Sequence, residues 1–481
     1  MSHPVVLPLW VFVVLALLAA WAIVSRLLLP SVRWFIGRRV NRLTEQVNRT
    51  LDLKIPPIAM TRRQVLIDRL VYDPKVLNEV MRVAEAEGIP REVALKRVEH
   101  YAREIVPAFN AYAYFRVGNG IAKAILNMMY RVRIGHADDA VLRGLNPEAS
   151  VVFVMNHRSN VDYILVAHLA RKRVALSYAV GEWAKVWPIQ QLVRSLGAYF
   201  VRRGSGNDLY RRVLERYVQI AVEGGAVQAI FPEGGLSRDG LLRQPKIGLL
   251  DYMLRAFDVR ASRDIVFVPV AMNYDRVLED RTLLRDTDPA SEPRSGLAAL
   301  RTTLAFAASQ LWLRLRGRWY RYGYACANFG APISLRRYLA YNNWDPATLD
   351  RDARAARVTE LAGDLMTAVG RIVPVLPVSL VARLFADEPE REWTEGEIRT
   401  AALALQKEYE SLGAHVYVPR QDPDYSVMVG LRMLMLRKLV TSANGRFRLN
   451  PAELPVVRYY ANAIAHLTRP PLWLTPSAER R

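Results

Sequence analysis

The chain has 481 residues, of which 51% are hydrophobic, and this is enough for a sizeable core and for two or three domains. Its formal net charge of +21 favours anionic partners, such as nucleic acid, anionic lipid surfaces or phosphorylated substrates. A single cysteine, Cys326, excludes an internal disulfide and a metal site built from several cysteines.

The N-terminus contains an uncharged run over residues 5–24 (VVLPLWVFVVLALLAAWAIV). Twenty helical residues span about 30 Å, which is one bilayer core. Five arginines follow before the first acid, Glu45, and no lysine or arginine precedes the run, so the positive-inside rule places the rest of the chain in the cytoplasm. A cleaved signal peptide is the alternative, but it would carry its charge before a shorter apolar stretch. We expect residues 1–42 to form a single-pass transmembrane anchor with a basic juxtamembrane segment, in the inner (cytoplasmic) membrane.

Residues 43–140 are predicted to form a helical N-terminal domain. In residues 74–106, apolar side chains recur at three- and four-residue spacing, and Gly88-Ile89-Pro90 separates two antiparallel helices. Residues 120–132 form a further amphipathic stretch.

Residues 141–340 have a different pattern, in which short apolar runs alternate with helical segments. This alternation predicts an α/β domain with a largely parallel mixed sheet flanked by helices. Residues 279–296 are predicted to be an exposed loop. The predicted strands are Val151–Met155, Val174–Val180, Ala198–Val201, Ala226–Phe231, Ile265–Ala271 and Tyr322–Asn328.

Residues 341–481 are predicted to be a mostly helical C-terminal region. Thr394 and Glu397 have the spacing of a capping box, which would begin a helix that runs to about Leu412. Asn444-Gly445 lies between two apolar segments and predicts a small hairpin.

The first candidate site is NHRSNVD, residues 156–162, at the end of a predicted strand. Open α/β sheets bind ligands at the carboxyl ends of their strands. Asp162 could accept a hydrogen bond from one nitrogen of His157 and leave the other nitrogen free as a base. The alternative is a helix-capping aspartate near a surface histidine, and the spacing alone favours that alternative.

Three further clusters follow predicted strands. GAYFVRR (197–203) ends in two arginines, whose guanidinium groups suit phosphate oxygens. FPEGGLSRDG (231–240) is a glycine-rich loop with an acid, a hydroxyl and an arginine, and Lys246 follows it. FVPVAMNYD (267–275) contains a proline, which predicts an edge strand or a strand end, and its apolar side chains could line a groove for an apolar chain.

The four clusters, in this order, resemble the motifs of the HxxxxD glycerolipid acyltransferases. LLRQPKIGLL (241–250), HYAREIV (100–106) and NFGAPISLRRYL (328–339) are similar to the glycerol-3-phosphate and dihydroxyacetone-phosphate acyltransferase branch, which includes the bacterial membrane enzyme. The resemblance covers about residues 70–340. The chain departs from that branch at Leu236 and Leu241, where basic residues are usual.

The resemblance implies transfer of a fatty acyl group from acyl-CoA or acyl-ACP to the sn-1 hydroxyl of glycerol 3-phosphate, giving lysophosphatidic acid. The membrane lipid bilayer, glycerol 3-phosphate and the acyl donor would be its partners, with no nucleic acid, no cofactor and no metal. His157 would be the base and Asp162 would orient it. Val268, Pro269 and Val270 would line the acyl-chain groove. The glycerol phosphate would be bound by Arg202, Arg203, Glu233, Gly234, Ser237, Arg238 and Lys246.

Three other functions remain open from the residues. Lysophosphatidic acid or dihydroxyacetone phosphate could be the acceptor in place of glycerol 3-phosphate. Ser237 lies in a stretch close to the G-x-S-x-G elbow of serine hydrolases, although the final glycine is missing. A membrane-tethered nucleic-acid binder would also carry a large positive charge, and its binding would depend steeply on salt.

Overall fold

The computed structural model describes residues 61, 63–108, 119–137, 146–170, 177–180, 197–202, 206–285, 316 and 320–475. The predicted membrane span at residues 5–24, the basic segment after it and most of the predicted loop at 279–296 lie outside these ranges. Among the helices of the described ranges, none combines the length and the apolar character needed to cross a membrane.

Within the described ranges, eight strands form a mixed sheet at the centre of the fold, in the order β1-β7-β6-β2-β5-β3-β4, with β8 also paired to β6. Strands β7 and β8 run antiparallel to β6, and the other pairs are parallel. The predicted α/β architecture is therefore confirmed. The strands are β1 (Arg131–Ala137), β2 (Ser150–Met155), β3 (Ser177–Val180), β4 (Ala198–Phe200), β5 (Gln228–Ile230), β6 (Ile265–Tyr274), β7 (Tyr324–Phe329) and β8 (Ile333–Ser334).

Helices cover both faces of this sheet. Because successive side chains of a strand point to opposite faces, Val151 and Phe153 of β2 join one hydrophobic core, whereas Val152 and Val154 join the other. The helices are α1 (Arg63–Val71), α2 (Pro74–Glu87), α3 (Arg91–Ile105), α4 (Asn119–Met129), α5 (Asp162–Ala170), α6 (Asp208–Glu223), α7 (Gly248–Leu254), α8 (Asp280–Arg285), α9 (Leu335–Tyr341), α10 (Arg351–Arg371), α11 (Pro377–Asp387), α12 (Glu395–Ser411), α13 (Pro423–Leu436) and α14 (Leu454–Asn462).

The predicted N-terminal helical domain differs from the structure at its end. Helices α1 to α4 fall in it as expected, but residues 131–137 form β1, the first strand of the order given above, paired in parallel with β7. The side chains of β1 are mostly exposed, so its sequence lacks the apolar alternation of a half-buried strand. Pairing with a strand almost 200 residues further along the chain decides its conformation.

In the C-terminal region, the capping box and the hairpin are confirmed. The Thr394 hydroxyl and the Glu397 carboxylate each accept the other residue's backbone N–H, at the start of α12. Asn444-Gly445 joins β10 (Val440–Ala443) to β11 (Arg446–Leu449), and β9 (Trp393–Thr394) adds a third strand.

The expectation that Pro269 marks an edge strand or a strand end is wrong. Pro269 lies inside the ten-residue β6, with β2 paired on one side. On the other side, β8 pairs as far as Phe267 and β7 pairs from Val270. Proline, which has no N–H to donate, therefore stands where the antiparallel partner changes.

Candidate active site

The end of β2 is tied to β6 where the chain leaves the sheet. The side-chain amide of Asn156 donates to Met272 O at 2.9 Å and accepts from Met272 N–H at 2.8 Å. This paired bond fixes the start of the loop that carries His157, Arg158 and Ser159, at the carboxyl end of β2. The apolar run therefore stops at a defined position, and the polar side chains begin there.

The structure brings His157 and Asp162 into direct contact. Nδ1 of His157 donates to Asp162 Oδ2 at 2.9 Å, and both residues are buried. The same oxygen accepts the backbone N–H groups of Arg158 (2.7 Å) and Ser159 (3.0 Å). Oδ1 accepts the hydroxyl of Tyr274 at 2.6 Å. Four donors thus compensate the burial of this carboxylate and hold it in one orientation.

The imidazole of His157 packs against two aromatic rings. The Phe231 ring packs against it with ring centroids 4.1 Å apart, and the Tyr163 ring meets it edge-on at 5.5 Å. With Nδ1 protonated and bound to Asp162, Nε2 is the basic nitrogen, and no described residue forms a hydrogen bond with it. His157 lines a cavity, so the free nitrogen has a space in which a substrate can lie.

That cavity has a volume of about 390 Å³ and an apolar wall with a few cations. Val201, Leu214, Ile230, Leu249 and Leu250 contribute to the wall, from the ends of β4 and β5 and from α6 and α7. The charged side chains that line it are Arg202, Arg211 and Lys246. An apolar pocket with a few polar groups beside a base is a typical substrate site.

Arg202 is held by the N-terminal helices. Its Nε and Nη2 donate to the Glu104 carboxylate at 2.9 and 2.5 Å, and its guanidinium lies over the rings of Tyr101 and Tyr210, 5.3 and 5.2 Å from their centres. The hydrogen bonds that Arg202 donates to Glu104 raise the pKa of Arg202 further above its usual range. The HYAREIV stretch of α3 therefore contributes to the site by fixing a cation in the cavity wall.

The FPEG loop places two predicted residues at different depths. Glu233 is buried and its Oε1 accepts the backbone N–H of His157 at 3.4 Å, whereas its Oε2 has no described partner. Burial raises the pKa of Glu233 to about 8, although the nearby charge of Arg158 opposes the shift. Gly234 has φ +68°, and a Cβ there would lie 2.7 Å from Cδ of Lys246. Glycine thus permits Lys246 to pack along the loop and line the cavity.

Ser237 shapes the loop and does not line the cavity. Its Oγ donates to Leu241 O at 2.7 Å and accepts Gly240 N–H at 3.1 Å, and its backbone N–H donates to His157 O at 2.9 Å. The described structure shows no histidine at this hydroxyl, as a serine nucleophile would require.

The remaining predicted residues are not at the cavity or cannot be placed. Arg238 is exposed and does not line the cavity, and Arg203 lies outside the described residues. The structure does not bring residues 268–270 to the cavity, because they are buried within the central strand β6. Nor do the described residues include a group of three or more histidine, cysteine or acidic side chains that could hold a metal ion.

The sequence reasoning gave no role to the C-terminal region, which packs against both loops of the site. Arg158 is buried, donates to Gly240 O, and lies over the ring of Tyr459 in α14, 5.0 Å from its centre. Asn462 of α14 donates to Asp239 O at 2.9 Å. Ser159, the other residue without a predicted role, donates to Glu279 at 2.8 Å. The contacts of α14 with these loops join residues more than 200 positions apart in the chain, so no local pattern in the sequence indicates them.

Comparisons with known proteins agree with the motifs. The model of the acyltransferase family matches residues 139–273, and that of the glycerol-3-phosphate acyltransferase C-terminal region matches residues 310–475. Glycerol-3-phosphate acyltransferases of Pseudomonas entomophila (strain L48) and Xylella fastidiosa (strain 9a5c) are 30% and 26% identical to this chain, over 89% and 91% of its length. These matches cover 52% and 50% of the relatives, so the chain spans about half the length of the curated relatives it matches.

Among solved structures, the 1-acyl-sn-glycerophosphate acyltransferase of Thermotoga maritima matches with 14% identity and a TM-score of 0.27, over 62% of this chain and 93% of that one. The predicted resemblance is confirmed by the two family models and the two named relatives. The two matched regions follow each other along the chain, first the one similar to the acyltransferase family and then the one similar to the glycerol-3-phosphate acyltransferase C-terminal region.

Proposed function

We propose that this chain, a relative of glycerol-3-phosphate acyltransferases, transfers a fatty acyl group from an acyl thioester to the sn-1 hydroxyl of glycerol 3-phosphate. The observation that carries the proposal is the His157–Asp162 pair at a cavity that is apolar along one wall and lined by Arg202 and Lys246. A base, an apolar surface and cations are what an acyl chain and a phosphorylated alcohol require together. The name of the relatives supports the choice of acceptor.

In the proposed reaction, Nε2 of His157 takes the proton of the acceptor hydroxyl as its oxygen attacks the thioester carbonyl. The tetrahedral intermediate collapses with cleavage of the carbon–sulfur bond, and the departing thiolate receives the proton from the imidazolium. Asp162 keeps the ring oriented and stabilises its positive charge. A positioned base of this kind contributes on the order of 10²–10⁴ in rate. The reaction has no acyl-enzyme intermediate and uses no metal or cofactor.

The acceptor phosphate would bind between Arg202 and Lys246, which line the same cavity as His157. Arg203 precedes the described residues that resume at Gly206, and we propose it as a further phosphate ligand. Ser237 would act at a distance, through the hydrogen bonds that hold the loop carrying Gly234. Glu233 is largely protonated at neutral pH if its pKa lies near 8, so it would donate a hydrogen bond rather than repel a phosphate.

The acyl chain would lie against the apolar wall from α6 and α7 rather than along residues 268–270. Lipid substrates and the uncharged run at residues 5–24 together support a location on the inner (cytoplasmic) membrane, with the catalytic domain in the cytoplasm. In that arrangement the bilayer is a partner and nucleic acid is not.

The test is an acyl-transfer assay of the purified full chain with radiolabelled glycerol 3-phosphate, dihydroxyacetone phosphate or lysophosphatidic acid, each with palmitoyl-CoA and palmitoyl-ACP. We expect glycerol 3-phosphate to be the preferred acceptor. The His157→Ala variant should lose at least 99% of kcat, whereas His415→Gln, far along the chain and outside the cavity, should retain it.

Near-wild-type transfer by His157→Ala would contradict the mechanism. A preference for lysophosphatidic acid or dihydroxyacetone phosphate would contradict the acceptor while leaving the mechanism standing. Hydrolysis of the thioester with labelling of Ser237 by a fluorophosphonate would instead identify a serine hydrolase, although no described histidine contacts that hydroxyl.

A further inference from the structure

A second cavity, rich in arginine, borders the one that contains His157. Its volume is about 560 Å³, which is within the range of small-molecule sites. Helices α2, α6 and α10 and the end of α7 surround it, and it shares Arg211 and Tyr252 with the first cavity. We call it the arginine basin, and six arginines line it: Arg82, Arg211, Arg212, Arg255, Arg351 and Arg354.

The arginine basin contains more positive charge than its acids compensate. Three acids line it: Glu79, Asp208 and Glu215. A fourth acid, Asp251, does not line the basin but forms ion pairs with two of its arginines. Two positive charges of the six arginines therefore remain uncompensated among these groups. Arg351, at the first position of α10, is exposed and its side chain has no ion pair or hydrogen bond with another described residue.

The ion pairs also fix the geometry of the basin. The Glu215 carboxylate forms ion pairs with Arg212 at 3.0 Å and with Arg255 at 3.2 Å. The Asp251 carboxylate forms ion pairs with Arg255 at 2.5 Å and with Arg354 at 3.2 Å. Two acids thus hold three guanidinium groups that come from three helices or their ends. A preorganised group of planar cations suits phosphate oxygens, because each guanidinium can donate two parallel hydrogen bonds.

We infer that the arginine basin binds the phosphorylated nucleotide of a coenzyme A thioester. The inference rests on the proposed function, since it identifies the acyl donor of that reaction. A coenzyme A thioester has an apolar acyl chain at one end and a nucleotide with a diphosphate and a 3′-phosphate at the other. The two adjoining cavities match these two ends of the molecule. The cavity beside His157 is mainly apolar and suits the acyl chain, and the basin, which shares Arg211 and Tyr252 with it, is cationic and suits the nucleotide.

The shape of the basin favours a nucleotide over an acidic carrier protein. The basin is a concavity lined by elements from four parts of the chain, with the volume of a small-molecule site, whereas a stable complex with a folded carrier requires a contact area of about 800 Å² on each partner. Tyr252 lines both cavities, and Arg255 lies over its ring, 5.5 Å from the centre. In the proposed complex this ring would contact the adenine or the pantetheine arm.

Charge reversal at Arg351 tests this assignment without breaking an ion pair. The Arg351→Glu variant should raise KM for palmitoyl-CoA about tenfold, which corresponds to 1.4 kcal/mol, and leave KM for glycerol 3-phosphate unchanged. Palmitoyl-pantetheine, which lacks the nucleotide, should be used equally by the variant and the wild type. Calorimetry with coenzyme A alone should show the same loss of affinity.

The matched control is Arg448→Glu in β11, an exposed arginine whose side chain likewise has no ion pair or hydrogen bond with another described residue. It makes the same change in net charge away from the basin and should leave every constant unchanged. An equal weakening by both variants would overturn the assignment in favour of a general charge effect. A rise in KM for palmitoyl-ACP alone would overturn it in favour of a carrier-protein surface.

Coenzyme A binding is measured without an acceptor, so the two proposals can fail separately. Arg351-dependent binding in a protein that does not acylate glycerol 3-phosphate would refute the proposed function and retain the nucleotide site. Transfer from palmitoyl-CoA with unchanged kinetics in Arg351→Glu would retain the function and refute the site.

Discussion

The Tyr274 hydroxyl donates to Asp162 Oδ1 at 2.6 Å and so ties the last residue of β6 to the first residue of α5. Asp162 uses its other oxygen for His157 and for two backbone N–H groups. Each oxygen of the carboxylate is therefore fixed from a different element. Tyr274 sets the rotation of the carboxylate, and through it the direction of the imidazole.

Tyr274→Phe should lower kcat about 10- to 100-fold and leave KM for both substrates nearly unchanged. The hydroxyl bonds a charged group, and such a bond contributes about 1.5–3 kcal/mol. Because Tyr274 is not at the cavity, its loss would misalign the base without removing a substrate contact. Steady-state kinetics with glycerol 3-phosphate and palmitoyl-CoA check the split between kcat and KM.

Tyr338→Phe is the matched control, because it removes a tyrosine hydroxyl that donates to Asp364 at 2.7 Å, between α9 and α10. It should leave kcat within about twofold of the wild type. A kcat loss of the same size in both variants would show that losing a tyrosine–aspartate hydrogen bond elsewhere in the fold has the same effect, and Tyr274 would lose its positioning role.

The sequence predicted much of the site because its signals are local. The strand ending at Met155 was predicted to within one residue, and three of the four motifs lie at the carboxyl ends of β2, β4 and β5, which run parallel in one sheet. The contacts that decide geometry are not local. Tyr274 bonds a residue 112 positions away, and Arg202 bonds Glu104 across 98 positions. No periodicity in one sequence encodes such a pair.

Motif membership also could not predict which basic residue lines the cavity. Arg238 and Lys246 are both basic and follow the same strand, yet only Lys246 lines the cavity. The difference arises from Gly234, whose missing Cβ leaves room for the aliphatic part of Lys246. A prediction from charge alone therefore ranks the two residues equally, whereas packing separates them.

Lys246→Met should raise KM for glycerol 3-phosphate about five- to tenfold and leave KM for palmitoyl-CoA within about twofold of the wild type. Methionine keeps the apolar contact with Gly234 but removes the charge, and a charge-assisted bond at a solvent-accessible site contributes on the order of 1 kcal/mol. Initial rates at varied acceptor concentration measure the effect. The Lys407→Met variant, at an exposed position of α12, serves as the control. An unchanged acceptor KM would remove Lys246 from the phosphate site.

Glu233 should make the folded protein less stable as the pH rises from about 5 to 8. Burial raises the pKa of Glu233 from 4.5 to about 8, so the folded state keeps a proton that the unfolded state has lost in this window. Stability is present in full below pH 4.5 and declines as the pH rises toward 8. In Glu233→Gln, which cannot ionise, Tm should fall less over the same window.

Thermal unfolding from pH 5 to 9 checks this prediction, with Glu390→Gln as the control at an exposed carboxylate. Asp275 is buried with a pKa raised to about 7, so some decline should remain in every variant. Parallel Tm curves for wild type and Glu233→Gln would mean that Glu233 is ionised in the folded protein near neutral pH.

Gly240→Ala should separate the catalytic loop from the C-terminal region. Gly240 has φ +89°, and a Cβ there would lie 2.0 Å from the backbone oxygen of Tyr459. Strain of this kind costs about 1–3 kcal/mol even before the clash is relieved. The loop must move away from α14, which would break the bonds of Gly240 with Arg158 and Ser237. We therefore expect a lower Tm and, at temperatures where the protein remains folded, a lower kcat.

Gly396→Ala controls for the substitution itself, because a Cβ at this position in the first turn of α12 meets no atom within 4 Å. It should change neither Tm nor kcat appreciably. A lower Tm with an unchanged kcat in Gly240→Ala would show that α14 only stabilises the fold. A lower Tm together with a lower kcat, measured at temperatures well below Tm, would show that the C-terminal region holds the loop in its active geometry.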